Sequence, residues 1–451
     1  MSVACLVSNF LVPILQAIVG VSRRAAVWPS CSPIQRKDAA MAEEEEESYE
    51  EESYEEVSDG GDVYEETGGS SDSFTEVTHQ SWGSRLQEQA TQSLVGFVLF
   101  LAAFPLLFWN EGRAVDGHKA LEEGKGAVIA VSAESVDSGN DGKLVHFSGD
   151  ATTDQLLSDA DFSIEATALK LRRISEMYQW EEEKEERKEK TSGGGEKTIT
   201  SYKYRKTWSE NHIDSGNFRK RKGHENPADI SFPSEEDEAS RVTVGAYQLS
   251  ASLIEKIDAF ENLRLPGEGL PGQLAGKTVH RTGNSLYVGN DPSSPQIGDL
   301  KVRFEVVPAG TEVSVVSRQK GNRLEPYLSK TGTVELLQIG LASADLMFNT
   351  AEEELTFETW LIRLAGIAAM AIGLGMLFKI LSTVIDRIPF VGIHIGTVVG
   401  VGTSLIAILI ALPLALLTIA IAWFFVRPIL SIILLVLAVG GFFGLRKFGS
   451  K

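Results

Sequence analysis

Residues 388–426, IPFVGIHIGTVVGVGTSLIAILIALPLALLTIAIAWFFV, form a run of 39 positions without one Asp, Glu, Lys or Arg. No soluble domain hides a stretch of that length easily. A helix needs about 20 apolar residues to cross a bilayer and two crossings with a turn need about 40, so this run commits the chain to a membrane. Glycines at 396, 400 and 402 weaken its first half as a helix. The reading adopted is an interfacial or re-entrant segment over 388–400 followed by one span over 403–426. A channel built on such a re-entrant element is the alternative function that this Gly-rich segment raises.

Other apolar segments complete the pattern. SLVGFVLFLAAFPLLFW (93–109) carries no charge over 17 residues, which as a helix is about 26 Å. Residues 361–381 hold a second candidate between Arg363 and Lys379, and 429–445 a last one before a basic tail, 446–451. Four spans follow, at 93–109, 361–381, 403–426 and 429–445. Pro105 is compatible with a membrane helix, where neighbouring groups re-satisfy the freed backbone.

Between the first two spans lies the bulk of the chain, 113–358. From Arg113 to Phe357 it has 30 Lys/Arg against 41 Asp/Glu, mixed along the sequence. Period-two alternation in LKLRRISEMYQWEEE (169–183) and TITSYKYRKTW (198–208), around a charged Gly-containing turn, predicts a long hairpin. LKVRFEVV (300–307) and TEVSVVSRQK (311–320) read as a second pair. Leu249, Leu253, Ile257 and Phe260 share a helical face. The fold class is thus a multipass α-helical membrane protein of about four spans with a large, β-rich α+β extramembrane domain.

The N-terminal region differs. Residues 1–40 hold an apolar run and then Arg23, Arg24, Arg36 and Lys37, and read as a leader or an upstream extension. Residues 41–80 contain sixteen Asp/Glu and no Lys or Arg, supplying most of the net charge of −20. Low hydrophobicity and dense like charge predict an acidic disordered tail. Residues 81–92 then read as a juxtamembrane helix.

Charge also orients the chain. Four spans put both termini on one side with Arg85, Lys379, Arg387, Arg446, Lys447 and Lys451, against Arg113, Arg363 and Arg427 opposite. The Lys/Arg excess places the termini in the cytosol and the large domain across the membrane, in a lumen. That domain has no cysteine and no Asn-x-Ser/Thr acceptor, which suits an organelle membrane better than the cell surface.

The sequence offers no catalytic, cofactor or metal motif. Cys5 and Cys31 are the sole cysteines, no histidine pair has ligand spacing, and HExxH, GxSxG and phosphate-loop patterns are missing. The acidic balance argues against nucleic-acid binding, and no small-molecule substrate is evident. GHENP (223–227), with His224, reads as a turn, and His394 as interfacial. The spans carry no charge near their centres. Gly396 and Gly400, spaced for close helix approach, are candidate packing positions, with Gly366, Gly373 and Gly375 as further small residues. At the end of the first span, Asn110, Glu111, Gly112 and Arg113 read as a membrane-exit motif. Asn110 and Glu111 would solvate the helix end, Gly112 would let the chain turn, and Arg113 would sit at the headgroups.

FWNEGRA is also where the chain begins to resemble a known family, LUMA (transmembrane protein 43). LVHFSG (144–149), LLSDADF (156–162), LKLRRISEMYQWEE (169–182), FRKRKGHENP (218–227), LSASLIEKIDAF (249–260), GDLKVRFE (298–305), VVSRQKGNRLEPY (315–327) and AWFFVRP (422–428) follow in order. The likeness covers about residues 93–445, whereas 1–80 depart from it. The resemblance implies four spans, a lumenal domain, and residence in the endoplasmic reticulum and inner nuclear membrane. It also implies a non-enzymatic scaffold that organises nuclear-envelope complexes, with self-association and emerin-like and lamin-type partners. It carries over no catalytic residue.

Overall fold

The computed structural model describes residues 63–67, 72–80, 82–190, 196–385 and 392–424, with positions 432, 433, 436 and 440. The 1–40 segment, the front of the acidic block, the 446–451 tail and nearly all of 429–445 lie outside them, so the fourth expected span does too.

Three described helices are long and apolar enough to cross a membrane. The first, α1 (Trp82–Ala127), runs without a break through the apolar 93–109 segment and 18 residues past it. A short helix, α2 (Ala251–Glu255), belongs to the domain. The second long helix, α3, is Ala344–Ile385, and the third, α4, is Gly392–Trp423. At 46 and 42 residues, α1 and α3 are about 69 and 63 Å long, twice the hydrocarbon thickness. Each is therefore half membrane helix and half domain helix. The stretch expected for the domain, 113–358, accordingly takes in the second half of α1 and the first part of α3.

Sequence explains the extension of α1. Beyond Trp109, the buried residues Asn110, Glu111, Ala114, Val115, Ala120 and Leu121 recur at helical spacing, so the segment is amphipathic rather than a loop. The opposing face of α3 buries Phe348, Thr359, Ile362 and Met370. The two helices are antiparallel, and small residues set their approach. A Cβ added at Gly366 would stand 2.6 Å from Leu107, at Gly117 2.8 Å from Leu355, and at Gly373 2.6 Å from the Gly96 carbonyl oxygen. Nothing lies within 4 Å of a Cβ at Gly375, which plays no such part. α4 adds a ladder of buried alanines, Ala407, Ala411 and Ala415, against Ala103, Leu107, Met370 and Leu374.

The backbone of α4 is one helix from Gly392, with no break between the expected 388–400 re-entrant segment and the 403–426 span. Apolar residues throughout outweigh the glycines. Gly396 and Gly400 are helical, and their packing, like the side chain of His394, lies outside the described residues.

The domain contains two large sheets. In the eleven-stranded one, Ile164–Lys190 pairs with Glu196–Ser209 from Met177↔Ser209 to Lys190↔Glu196, the long hairpin that the alternation predicts. Leu300–Pro308 pairs with the first half of Ile164–Lys190, from Pro308↔Ala168 to Leu300↔Met177. In the second sheet, Leu144–Thr152, Thr311–Lys320, Arg323–Glu325, Tyr247–Gln248 and Thr243–Val244 pair in a closed ring. Phe147 and Tyr247 stack inside it, 4.5 Å apart. The expected pairing of 300–307 with 311–320 is not formed: these strands belong to different sheets. The register shifts at Val307/Pro308, Pro308 has no N–H to continue the ladder, and Gly310 at φ +93° turns the chain into the second sheet. The helical face at 249–260 holds in part, since Leu249, Leu253 and Ile257 are buried, but α2 covers only five residues.

Two strands correct the disordered reading of 41–80. Val63–Thr67 and Ser73–Gln80 extend the large sheet along the edge of Glu196–Ser209. Most of the acids precede Glu66; after it SFTEVTHQ alternates, and Phe74 and Val77 are buried. His224 is buried in the turn expected of GHENP, stacked on Tyr204 at 4.0 Å and edge-on to Trp180.

Candidate functional site

The polar groups of FWNEGRA meet the other two long helices at one level. Asn110 and Glu111 are 0 and 1% exposed. Glu111 accepts two hydrogen bonds from Arg363 of α3, at 2.7 Å from both Nε and Nη2, in the fork geometry that suits guanidinium and carboxylate. The indole Nε1 of Trp423, in the last turn of α4, donates to the same carboxylate. Arg363 also lies over the rings of Trp360, 4.7 Å from its centroid, and Trp423, 5.5 Å away. One residue back, Asn110 Nδ2 donates to the Thr359 carbonyl at 3.0 Å. One turn on, Arg113 pairs with Glu358 at 2.9 Å. Three helices are thus tied by one buried carboxylate and its flanking bonds.

Indole rings mark the level. Trp109 and Trp360 are about half exposed, from adjacent antiparallel helices, and Trp423 completes a set of three. Tryptophans gather where hydrocarbon meets headgroups, because an indole is apolar in body and polar at its N–H. On one side of this belt the exposed side chains are Leu94, Phe97, Val98 and Leu101 of α1, and Leu405, Ile408 and Leu412 of α4, a surface suited to lipid. On the other side α1 and α3 pack under the domain through Ala120, Leu121, Phe348 and Met347 against Leu144, Val316 and Val334. The clasp therefore sits at the junction of membrane and domain. Because Trp423 reaches Glu111, α4 ends on the domain side.

The expected residues are in place, but their roles change. Asn110 and Glu111 do not solvate a helix end: the helix continues, and both are buried against α3. Gly112 does not turn the chain; it lies mid-helix, exposed, with nothing within 4 Å of where its Cβ would be. Arg113 is paired rather than free. Arg363, counted in the sequence only as a charge at the end of the second span, is the partner of Glu111, and its side chain is only 12% exposed. Thr359 and Trp423 carried no signal of their own. The clue was complementary charge at the edges of two apolar segments, Glu111 after the first and Arg363 at the start of the second.

Comparison with known proteins bears on the whole arrangement. The family model described as Transmembrane protein 43 matches residues 177–428, which takes in most of the domain, α3 and α4. Transmembrane protein 43 of Rattus norvegicus is 37% identical over 361 residues, covering 78% of this chain and 88% of its own. The Homo sapiens protein of the same name is 36% identical over 366 residues, 78% of this chain and 89% of its own. Transmembrane protein 43 homolog of Drosophila melanogaster is 33% identical over 349 residues, 76% and 91% respectively. No solved structure matches. With apolar helices, a β-rich domain and these relatives, the chain belongs to the transmembrane protein 43 family of membrane proteins, the LUMA family that its ordered stretches resemble.

Proposed function

We propose that this protein is a non-enzymatic scaffold of the endoplasmic reticulum and inner nuclear membrane, which organises nuclear-envelope protein complexes through a lumenal domain. The observation that carries this is the clasp. A buried Glu111–Arg363–Trp423 cluster, continuous with the packed joint under the domain, makes helices and domain one body. Such a body holds partners at a fixed height and angle to the membrane, as a scaffold must. The side of the domain follows from the Lys/Arg balance, and the end of α4 on the domain side leaves 429–445 to return the C-terminus to the side of the N-terminus. Self-association and emerin-like or lamin-type partners belong to the same reading. The channel alternative loses its motivating feature, since the 392–423 backbone is a continuous helix.

Tags placed after Met41, at Gly193–Gly195 and at Lys451 test the arrangement after selective permeabilisation of the plasma membrane. The end tags are expected to stain the nuclear rim and reticulum while the middle tag stays hidden. Proximity labelling from Lys451 is expected to enrich integral proteins of the inner nuclear membrane. A middle tag reached under those conditions, or labelling confined to another organelle, would sink the proposal.

A further inference from the structure

A cavity of about 1160 Å³ opens beside the clasp, between α1, α4 and the 331–333 segment of the domain. It is larger than most small-molecule sites, which run to roughly 1,000 Å³. Its two ends differ. Below the indole belt its walls are Phe104, Pro105, Phe108, Leu414 and Leu417; above it are Arg113, Asp116 and Thr331. Below the belt it adjoins the exposed apolar side chains of α1 and α4, so the bilayer supplies its contents.

Gly112 shows that the space is kept open. Glycine is among the least favourable residues within a helix, and close packing usually explains one that stays there. That explanation serves Gly117, whose Cβ would meet Leu355, but at Gly112 a side chain would meet nothing and would project into the cavity. Arg113 adds a second sign. Its Nη1 is held by Glu358 and its Nη2 lies 3.5 Å from the Asn110 side-chain oxygen, yet the side chain lines the cavity and is 27% exposed, so its remaining N–H groups can reach an acceptor there. Asp116, one turn along the same face, has its backbone carbonyl taken by the Thr331 hydroxyl at 2.8 Å and its side chain exposed.

We infer that this cavity holds one zwitterionic glycerophospholipid, with an acyl chain against Phe104, Phe108 and Leu417, its phosphate accepting from Arg113 and its ammonium group facing Asp116. Arg113 shares its charge with Glu358, so the site as a whole is acidic: the phosphate takes the guanidinium N–H groups that Glu358 leaves, the ammonium offsets Asp116 three residues along the same helix face, and an anionic lipid would meet both carboxylates. The site needs no motion: the belt sets the depth of the chain, and the Thr331–Thr333 segment roofs the headgroup.

The test uses the full chain reconstituted in phosphatidylcholine vesicles doped with phosphatidylethanolamine that carries a photoactivatable group on its amine. Crosslinks are expected on the peptide containing Thr331–Thr333 in the wild type, and at least tenfold fewer in Gly112→Leu, which puts a branched side chain into the cavity beside Arg113 and Asp116. A second probe, with the reactive group at the acyl terminus, should label the outer face near Leu409 and Leu412 equally in both, which shows that the variant is folded and inserted. Gly126→Leu, also in open space on α1 but outside the cavity, should behave as wild type. Native mass spectrometry of detergent-purified protein should show one retained zwitterionic phospholipid, lost in Gly112→Leu. Equal labelling of Thr331–Thr333 in Gly112→Leu, retention of an anionic lipid instead, or no retained lipid in the wild type overturns the inference.

Discussion

Glu111 is a carboxylate with 1% exposure whose two oxygens face a guanidinium and an indole N–H. Removing either charge strands the other in a low-dielectric site, which costs about 3–5 kcal/mol, whereas replacing both by apolar groups of similar size is often neutral. Glu111→Gln and Arg363→Met are therefore each expected to lower the thermal midpoint of the detergent-solubilised protein strongly. The double variant Glu111→Leu/Arg363→Met should recover most of the loss, as residues in contact do not add. Additive losses would mean that the pair is not coupled. Trp423→Phe keeps the ring over Arg363 but removes the donor, and should cost about 1–3 kcal/mol. The sequence made Glu111 conspicuous, because a charge ends an uncharged run. It did not reveal the partner, which lies 252 positions along the chain. Local reading assigns such a residue to solvent, and the helical spacing of Asn110, Glu111, Ala114, Val115 and Leu121 was the signal that the helix goes on.

Helices and strands repeat the lesson with different physics. Gly366, Gly373 and Gly375 look alike in sequence, yet only the first two meet α1. At Gly373 a Cβ would run into backbone atoms, the Gly96 carbonyl at 2.6 Å and the Phe100 nitrogen at 2.7 Å, which cannot swing aside as a side chain can. Gly373→Ala is thus expected to force α1 and α3 apart and lower the thermal midpoint. Gly375→Ala, meeting nothing, should leave the midpoint unchanged or raise it, since helix propensity favours alanine by up to about 1 kcal/mol. Equal effects at both positions would refute this packing. The long hairpin was legible because alternation and a Gly turn are local. The partner of Thr311–Lys320 was not, since its alternation suits any neighbour and a proline and a glycine at the corner decide which sheet it enters. The Ser73–Gln80 strand was hidden by averaging an acid-dense block over forty residues. Its Phe74 stacks on Tyr202 at 4.9 Å, and Arg219 bridges Glu76 at 2.7 Å. Phe74→Ala should accordingly raise amide exchange in Ser73–Gln80 and along Glu196–Ser209, and leave α1, α3 and α4 as they were. Unchanged exchange along the Glu196–Ser209 edge would show that the strand adds nothing to the sheet.

At the scale of the molecule, membrane helices and domain differ in what pH can reach. All nine tyrosines lie outside the helices α1, α3 and α4, and the domain holds four whose phenols are pushed above the usual tyrosine range. Burial is the main cause in each. For Tyr204 the bond it donates to Glu182 adds to it, for Tyr287 the bond to Asp299, and for Tyr202 and Tyr247 the charges of Glu76 and Asp137. These four sit in three parts of the domain: Tyr202 and Tyr204 together on Glu196–Ser209 of the large sheet, Tyr287 further along it, and Tyr247 inside the closed ring. Unfolded tyrosines ionise near pH 10, while these hold their protons to higher pH. Between the two values the folded state binds more protons than the unfolded, so stability falls as pH rises. The contribution is fully present below about pH 10 and drains away as pH climbs through the folded values. Because the four are spread through the domain, it should lose its packing as one unit in alkali. Tyrosinate absorbance should then appear together with the loss of near-ultraviolet dichroism, while far-ultraviolet dichroism keeps the signal of the three long helices, which contain no tyrosine to ionise. Smooth tyrosine titration near pH 10, with the near-ultraviolet signal intact, would show that these phenols are not held as the structure has them.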